Sequence, residues 1–363
     1  MMKKVNIIGA GIAGLSAGSY LQMNGYDTQI FELHNHAGGV CTSWKRKGFT
    51  IDNCIHFLVG SNPSDNLYNL WNELVDMKKV EFMDFEEWMR IEGQDGRSIR
   101  VFTDIDKLEN EMLLKAPEDA ALIREFTGAA RRFLRIQLPI EKASETYGPL
   151  DGLKIITKLF PYLRAMKKWG STSIQEYSAR CQNPLLSKTL RFMFLPETAV
   201  LFILLAIMWM HKKSAGYPIG GSLEFARLIE KEYLKLGGQI NYKSKVVKVI
   251  TGNDSATGIM LENGQIHSSD MVISAADGHY TIFEMLGGKY IDDRIKGYYD
   301  NYLTFPSYLM VSLGVSRTFE NEPQTIVLPL DKPFILDEST TVEDFFIRIF
   351  NFDKNWHLKV KPL

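Results

Sequence analysis

The sequence has little that would mark a metal, disulfide or nucleic-acid protein. Its three cysteines, Cys41, Cys54 and Cys181, share neither metal-ligand nor disulfide spacing, so a reducing cytoplasm is the expected setting. Charge of neither sign is in excess. The 42 Lys and Arg stand against 43 Asp and Glu, a formal net charge of −1, which removes the electrostatic case for binding nucleic acid. The longest unbroken apolar run, Ala199 to Met210, is too short to span a bilayer. No signal-peptide pattern precedes the first apolar stretch, because Met1-Met2-Lys3-Lys4 leads directly into it. Ser-His-Asp and P-loop patterns, internal repeats and low-complexity tracts are also missing. His34, His36 and His56 do not share one helical face and no carboxylate cluster joins them, so no metal site is assigned. At 363 residues the chain exceeds one typical domain, and two are expected.

What is there begins at Val5. Val5-Asn-Ile-Ile runs into Gly9, and Gly9, Gly11 and Gly14 follow the G-x-G-x-x-G spacing of a strand that turns into a helix. The first glycine permits the tight turn, the second lets backbone approach a pyrophosphate with no Cβ in the way, and the third lets the helix pack closely on the sheet. Gly9, Gly11, Ala13 and Gly14 are therefore the candidate pyrophosphate contacts, at a helix N-terminus whose N–H groups favour anions. Glu32 closes the second predicted strand, where a carboxylate can accept from a ribose hydroxyl and would repel the 2′-phosphate of NADP.

A second glycine pair, Gly38-Gly39, follows Glu32 after a five-residue spacer, and Gly48-Phe49-Thr50-Ile51-Asp52 comes later. This extension resembles flavoproteins of the amine oxidase superfamily, and within it the phytoene desaturases and carotenoid isomerases. The family often has Arg directly after the doublet and Gly two residues after the Asp, where this chain has Val40 and Cys54. Gly216-Tyr-Pro-Ile-Gly-Gly-Ser222, a helix at 223–236 and strands at 239–242 and 246–250 resemble the family segment that returns to the flavin domain. The resemblance implies FAD as cofactor, with Gly38, Gly39, the backbone of Val246 and the small-residue turn at Ala275 beside it. It also implies redox chemistry on a hydrophobic polyene or prenyl substrate: desaturation, saturation or isomerisation. Catalytic residues are not fixed by it; His56 and Tyr217 are candidates from position alone.

The fold expected is α/β, a Rossmann-like FAD-binding domain of the glutathione reductase/amine oxidase type with an inserted α+β substrate domain. Residues 1–75 and 215–290 would form the first, and 76–214 with 291–363 the second. Leu67, Leu70, Trp71 and Leu74 mark one face of a helix capped by Ser64 or Asp65, and Trp88–Glu92 with Ile99–Thr103 reads as a hairpin. Residues 104–170 read as helical with basic outer faces, either solvated or docked peripherally at the inner face of a membrane. Ser173 with Glu176 forms a capping box. The segments Leu190–Phe194 and Ala199–Met210 are apolar enough for buried core, for a lining of a substrate tunnel or for membrane contact. Hairpin strands at 259–262 and 265–268 flank Asn263-Gly264, and 271–277, 307–314 and 345–350 read as strands. Oligomeric state is left open.

Two rival functions are an amine or protoporphyrinogen-type flavin oxidase, and an inactive dinucleotide-binding fragment. The second follows from the ending. After Phe345–Phe350 the family commonly runs into a Leu-Ala-Pro-Glu-Gly-Lys-Thr-like turn, whereas this chain reads Lys354-Asn-Trp-His-Leu-Lys-Val-Lys-Pro-Leu363. Codons for Asn355 onward, read from the third base of the Asn codon, permit Leu-Ala-Pro-Glu-Gly-Lys-Thr in order. A truncated, frameshifted reading frame that binds FAD poorly is the expectation from that ending.

Overall fold

The computed structural model describes residues 2–353 apart from 53, 141, 303–308, 316, 318, 338 and 339. The chain opens as β1 (Lys4–Ile8), α1 (Ile12–Met23) and β2 (Asp27–Phe31), continues through β3 (Ser43–Arg46), β4 (Phe49–Asp52) and β5 (Leu58–Val59), and reaches α2 (Asn66–Leu74). After β6 (Phe82–Met83) comes the hairpin β7 (Glu87–Glu92) and β8 (Ser98–Phe102). Six helices follow: α3 (Ile105–Lys115), α4 (Ala120–Phe133), α5 (Pro149–Gly170), α6 (Ile174–Ser178), α7 (Pro184–Arg191) and α8 (Val200–His211). The chain returns through β9 (Ala215–Pro218), α9 (Gly221–Lys235) and β10 (Gln239–Asn241). It then forms β11 (Val246–Gly252), β12 (Ser255–Leu261), β13 (Ile266–Ser268) and β14 (Met271–Ser274), and ends in α10 (Asp293–Asn301), β15 (Thr325–Ile335) and β16 (Thr341–Arg348).

Two sheets organise the molecule. The first is parallel, in the order β10-β2-β1-β14, with Ile7 opposite both Ile30 and Ile273. Its strands are apolar on both faces because α1 and α9 cover one side and the β11–β13 meander packs on the other, where Ile8 and Phe31 meet Val246 and Ile259. The second sheet, β16-β15-β7-β8, is antiparallel except between β15 and β7. Met89, Ile91, Ile99, Val101 and Val327 bury its inner face against the helices.

At the centre of that helical layer lies α8, with Ile203, Leu204, Ile207 and Met208 all 2% exposed or less. Each such side chain contributes roughly 2 kcal/mol by leaving water. The apolar run at 199–210 is thus chiefly core. Phe202 alone stands well out, 44% exposed against Phe194. The capping box is present: Ser173 Oγ accepts from Glu176 N–H, and Glu176 returns a carboxylate to Ser173 N–H. Asp65 rather than Ser64 caps α2, accepting from Leu67 N–H.

Three expectations need correction. α2 turns Tyr68 and Leu74 into the core beneath the parallel sheet, with Trp71 half-buried against it, and leaves Leu70 at the surface. The predicted strand at 307–314 is not formed at 309–314, where Leu309 and Leu313 are exposed and no neighbouring strand pairs with them; residues 307 and 308 lie outside the described residues. The strand at 259–262 is the end of a longer one, β12, whose first hairpin partner is β11 across Asn253-Asp254, two non-glycine residues at positive φ. β15 itself carries few signals in the sequence, since Pro329 and Pro333 interrupt it. The ending at 354–363 lies outside the described residues.

Candidate functional site

The glycine turn after β1 is built from backbone. Gly9 at φ 95° donates its N–H to Phe31 O at 2.8 Å, which ties the turn to the end of β2. Ala10 N–H donates to Glu32 Oε2 at 2.7 Å, and His34 N–H donates to Glu32 Oε1 at 2.8 Å. The Glu32 carboxylate, 5% exposed, therefore buttresses the turn, a role that spacing alone did not reveal. Each oxygen keeps a second lone pair for a ligand hydroxyl.

The doublet lies against this turn. Gly38 N–H donates to Ala10 O at 2.9 Å, and Gly11 and Gly38 form an isolated parallel bridge. Gly38 and Gly39 adopt φ 119° and 59°, and a Cβ on Gly39 would come within 3.1 Å of Gly11 Cα. The three glycines of the motif differ in what surrounds them. A Cβ on Gly14 would stand 2.0 Å from Gly9 O, so that glycine serves packing. One on Gly9 would meet Ala275 O at 3.2 Å, which places Ala275 at the end of β14 directly beside the turn. One on Gly11 would meet nothing closer than 3.9 Å, and Gly11 has an ordinary extended φ of −69°. Gly11, in no more than ordinary contact with the Gly38-Gly39 backbone, stands at the N-terminus of α1 beside the exposed Ala13, where the first-turn N–H groups have no intrahelical partner. Val246, the first residue of β11, packs on Ile8 and Phe31 close by, with Ser244 N–H donating to Glu32 O at 2.8 Å.

A second cluster fastens the 40–60 segment to α9. Asp52, 2% exposed, accepts from Ser222 N–H at 2.5 Å and Ser222 Oγ–H at 2.6 Å. Ser222 Oγ also accepts from Ile55 N–H at 2.8 Å, and Cys41 Sγ donates to Ser222 O at 3.2 Å. Gly220 N–H reaches Asp353 Oδ2 at 2.7 Å. Two carboxylates thus satisfy N–H groups where α9 begins, as expected for a helix N-terminus. Cys54, in the position where the resemblance leads one to expect glycine, contacts the Cys41 thiol. That contact and burial push the Cys41 thiol up, while Cys54 is held below its ordinary value by the same contact.

His56 and Tyr217 have different surroundings. His56 is open to solvent but walled on several sides, and Arg348 Nη1 contacts its Nδ1. A guanidinium only donates, so Nδ1 accepts and the ring proton sits on Nε2. Burial and the Arg348 charge lower the imidazole to about 4, leaving it neutral at pH 7. Desolvation lowers Arg348 to about 10. Tyr217 is fully enclosed in β9, with its ring edge-on to Phe352 at 5.0 Å; burial and then the Asp52 charge raise its phenol above the ordinary range. The inner sheet face that carries Ile91 and Val327 continues to Phe346, 52% exposed, and to Arg348 at the β16 edge. The edge of the second sheet therefore reaches His56 through Arg348, with Phe346 exposed beside it.

Comparison with known proteins bears on the fold. The family of NAD(P)-binding Rossmann-like domains matches residues 7–74. The chain is 24% identical over 360 residues to 4,4′-diapophytoene desaturase (4,4′-diapolycopene-forming) of Methylomonas sp, covering 96% of this chain and 69% of that protein. It is 24% identical over 331 residues to prolycopene isomerase 2, chloroplastic, of an Oncidium hybrid cultivar, covering 88% and 56%. The chain therefore spans between about half and two thirds of the length of these relatives. A crystal structure of an oxidoreductase from Methanosarcina mazei shares the fold, at 18% identity and a TM-score of 0.51, covering 82% of this chain and 64% of that one. The resemblance to phytoene desaturases and carotenoid isomerases read from residues 5–60 and 211–280 holds, as does the α/β Rossmann-like fold. Among the described residues no helix is long and apolar enough to cross a membrane.

Proposed function

We propose that this chain is the dinucleotide-binding part, with much of the substrate-binding part, of an FAD-dependent oxidoreductase that acts on a long conjugated or prenyl hydrocarbon. The observation that supports FAD over a nicotinamide dinucleotide is the bridge between Gly11 and Gly38, which sets a second glycine turn against the phosphate-binding one. Residues 1–75 and 215–290 would hold the cofactor, and 76–214 with 291–363 the substrate.

In this reading the first-turn N–H groups of α1 at Ala13 and Gly14 take the pyrophosphate, Glu32 takes a ribose hydroxyl, and Val246 and Ala275 flank the dinucleotide. When bound, FAD supplies the capacity to accept or donate a hydride, so the protein needs little acid–base machinery of its own. What the chain supplies is orientation and dryness. Phe346 and neighbouring apolar residues guide a hydrocarbon, and the neutral His56, held by Arg348, marks the polar end of that surface. Tyr217 is enclosed, with its ring set edge-on against Phe352. The named desaturase and isomerase relatives support a polyene substrate; which reaction this chain performs is decided by product analysis.

The test is equilibrium binding of FAD, FMN and NAD to the purified chain. FAD bound at least tenfold more tightly than FMN or NAD supports the reading, because the AMP half makes the Glu32 and Val246 contacts. Equal affinity for FMN and FAD, or a preference for NAD, overturns it.

A further inference from the structure

The longest helix has two unlike faces. α5 runs 22 residues from Pro149 to Gly170. Leu159, Tyr162, Ala165, Met166 and the buried Trp169 hold it to the helical core. On the opposite side Leu150, Leu153, Ile156, Phe160 and Leu163 are 75, 60, 58, 71 and 47% exposed. Spacings of three, three, four and three residues align these five in one stripe along the helix. Isolated exposed leucines are ordinary, but a continuous stripe of five large apolar residues marks a contact surface.

The charges around the stripe say what it contacts. Lys154, Lys158, Arg164 and Lys167 are all exposed on the same helix, whose only carboxylate is Asp151, while Lys168 is paired with Glu125 of α4. The end of α4 adds the exposed Arg132 and Arg135, and Arg132 Nη2 donates to Pro161 O at 2.6 Å, which fixes that cation beside the stripe. A second copy of this face would meet it with like charge, so self-association through it is disfavoured. The charges also prevent α5 from crossing a bilayer, in keeping with the lack of any spanning helix among the described residues. An apolar stripe with a basic margin is the pattern of a helix that lies in the membrane interface, its leucines among acyl chains and its cations at anionic headgroups.

We propose that the outer face of α5, with the adjoining arginines of α4, docks the protein on an anionic phospholipid surface. This goes beyond the cofactor reading and does not depend on it, since none of these residues touches the glycine turns.

Flotation of the full chain with phosphatidylcholine vesicles, with and without phosphatidylglycerol, tests the proposal. The wild type is expected to bind the anionic vesicles and to release with salt. Leu153→Glu with Phe160→Glu should lower partitioning by roughly a hundredfold, and Lys154→Gln with Lys167→Gln by about fivefold for each lysine removed. All four positions are exposed, so circular dichroism and thermal melting should match the wild type. Failure of the wild type to bind anionic vesicles, undiminished binding by the two glutamate substitutions, or a wild-type dimer that those substitutions dissolve would each overturn it. Cofactor affinity, measured on the same variants, should not change.

Discussion

The parallel-sheet region and the helical region meet the same requirement, a well-packed interior, in opposite ways. Around the turn after β1 the packing is backbone against backbone. Gly14 sits where a single added carbon would stand 2.0 Å from Gly9 O, and Gly39 where one would stand 3.1 Å from Gly11. Around α8 the packing is side chain against side chain, and Leu204 is fully buried among other apolar residues of similar size. Backbone packing dictates residue identity; side-chain packing dictates only size and polarity. The first region therefore declares its ligand class in the sequence, while the second declares a core and leaves the substrate unnamed.

Four substitutions sharpen the comparison. Leu204→Asp should cost roughly 5 kcal/mol or more by burying an unpaired carboxylate, whereas Leu204→Met should cost less than about 1.5 kcal/mol, measured by urea denaturation. In the parallel-sheet region the smallest possible change should do nearly as much harm. Gly14→Ala is expected to cost about 3 kcal/mol or more, and a wild-type melting temperature would mean that α1 packs less closely on the turn than described. Asp52→Asn removes the charge from the bonds to Ser222 and should cost about 2 kcal/mol, with 40–60 becoming sensitive to protease before the helical core does.

The smallest effect concerns pH. His56 titrates near 4 in the folded chain and near its ordinary value of 6.5 when unfolded. The unfolded state therefore binds the extra proton first, and stability contributed by the neutral ring is present above about pH 6.5 and lost as pH falls toward 4. His56→Gln should flatten that part of the stability profile; an unchanged slope would separate His56 from Arg348.

Much of the first region was legible in the sequence because its constraints are local. Gly9, Gly11 and Gly14 fall within six residues, and the Gly38-Gly39 doublet follows Glu32 closely, so spacing alone predicts the turn. What was missed joins distant segments. Asp52 and Ser222 are 170 residues apart, and His56 and Arg348 are 292 apart, so no period or spacing connects them. The Asp52 turn was visible only through family resemblance, and its partner was not. Leu70 was misplaced for a related reason: helical periodicity gives a face, but which neighbour the face meets is a tertiary fact. β15 is hidden in the sequence because two prolines sit in a strand that the long β16 hairpin nevertheless holds.

Gly14 is reserved for the fold, and Gly11→Val tests whether Gly11 serves a ligand instead. The first side-chain carbon there would meet nothing closer than 3.9 Å, and the position needs no unusual φ. The variant is expected to match the wild type in circular dichroism and melting temperature while its FAD affinity falls by at least about a hundredfold. A Gly11→Val protein that binds FAD as the wild type does, or one that fails to fold, would contradict that expectation.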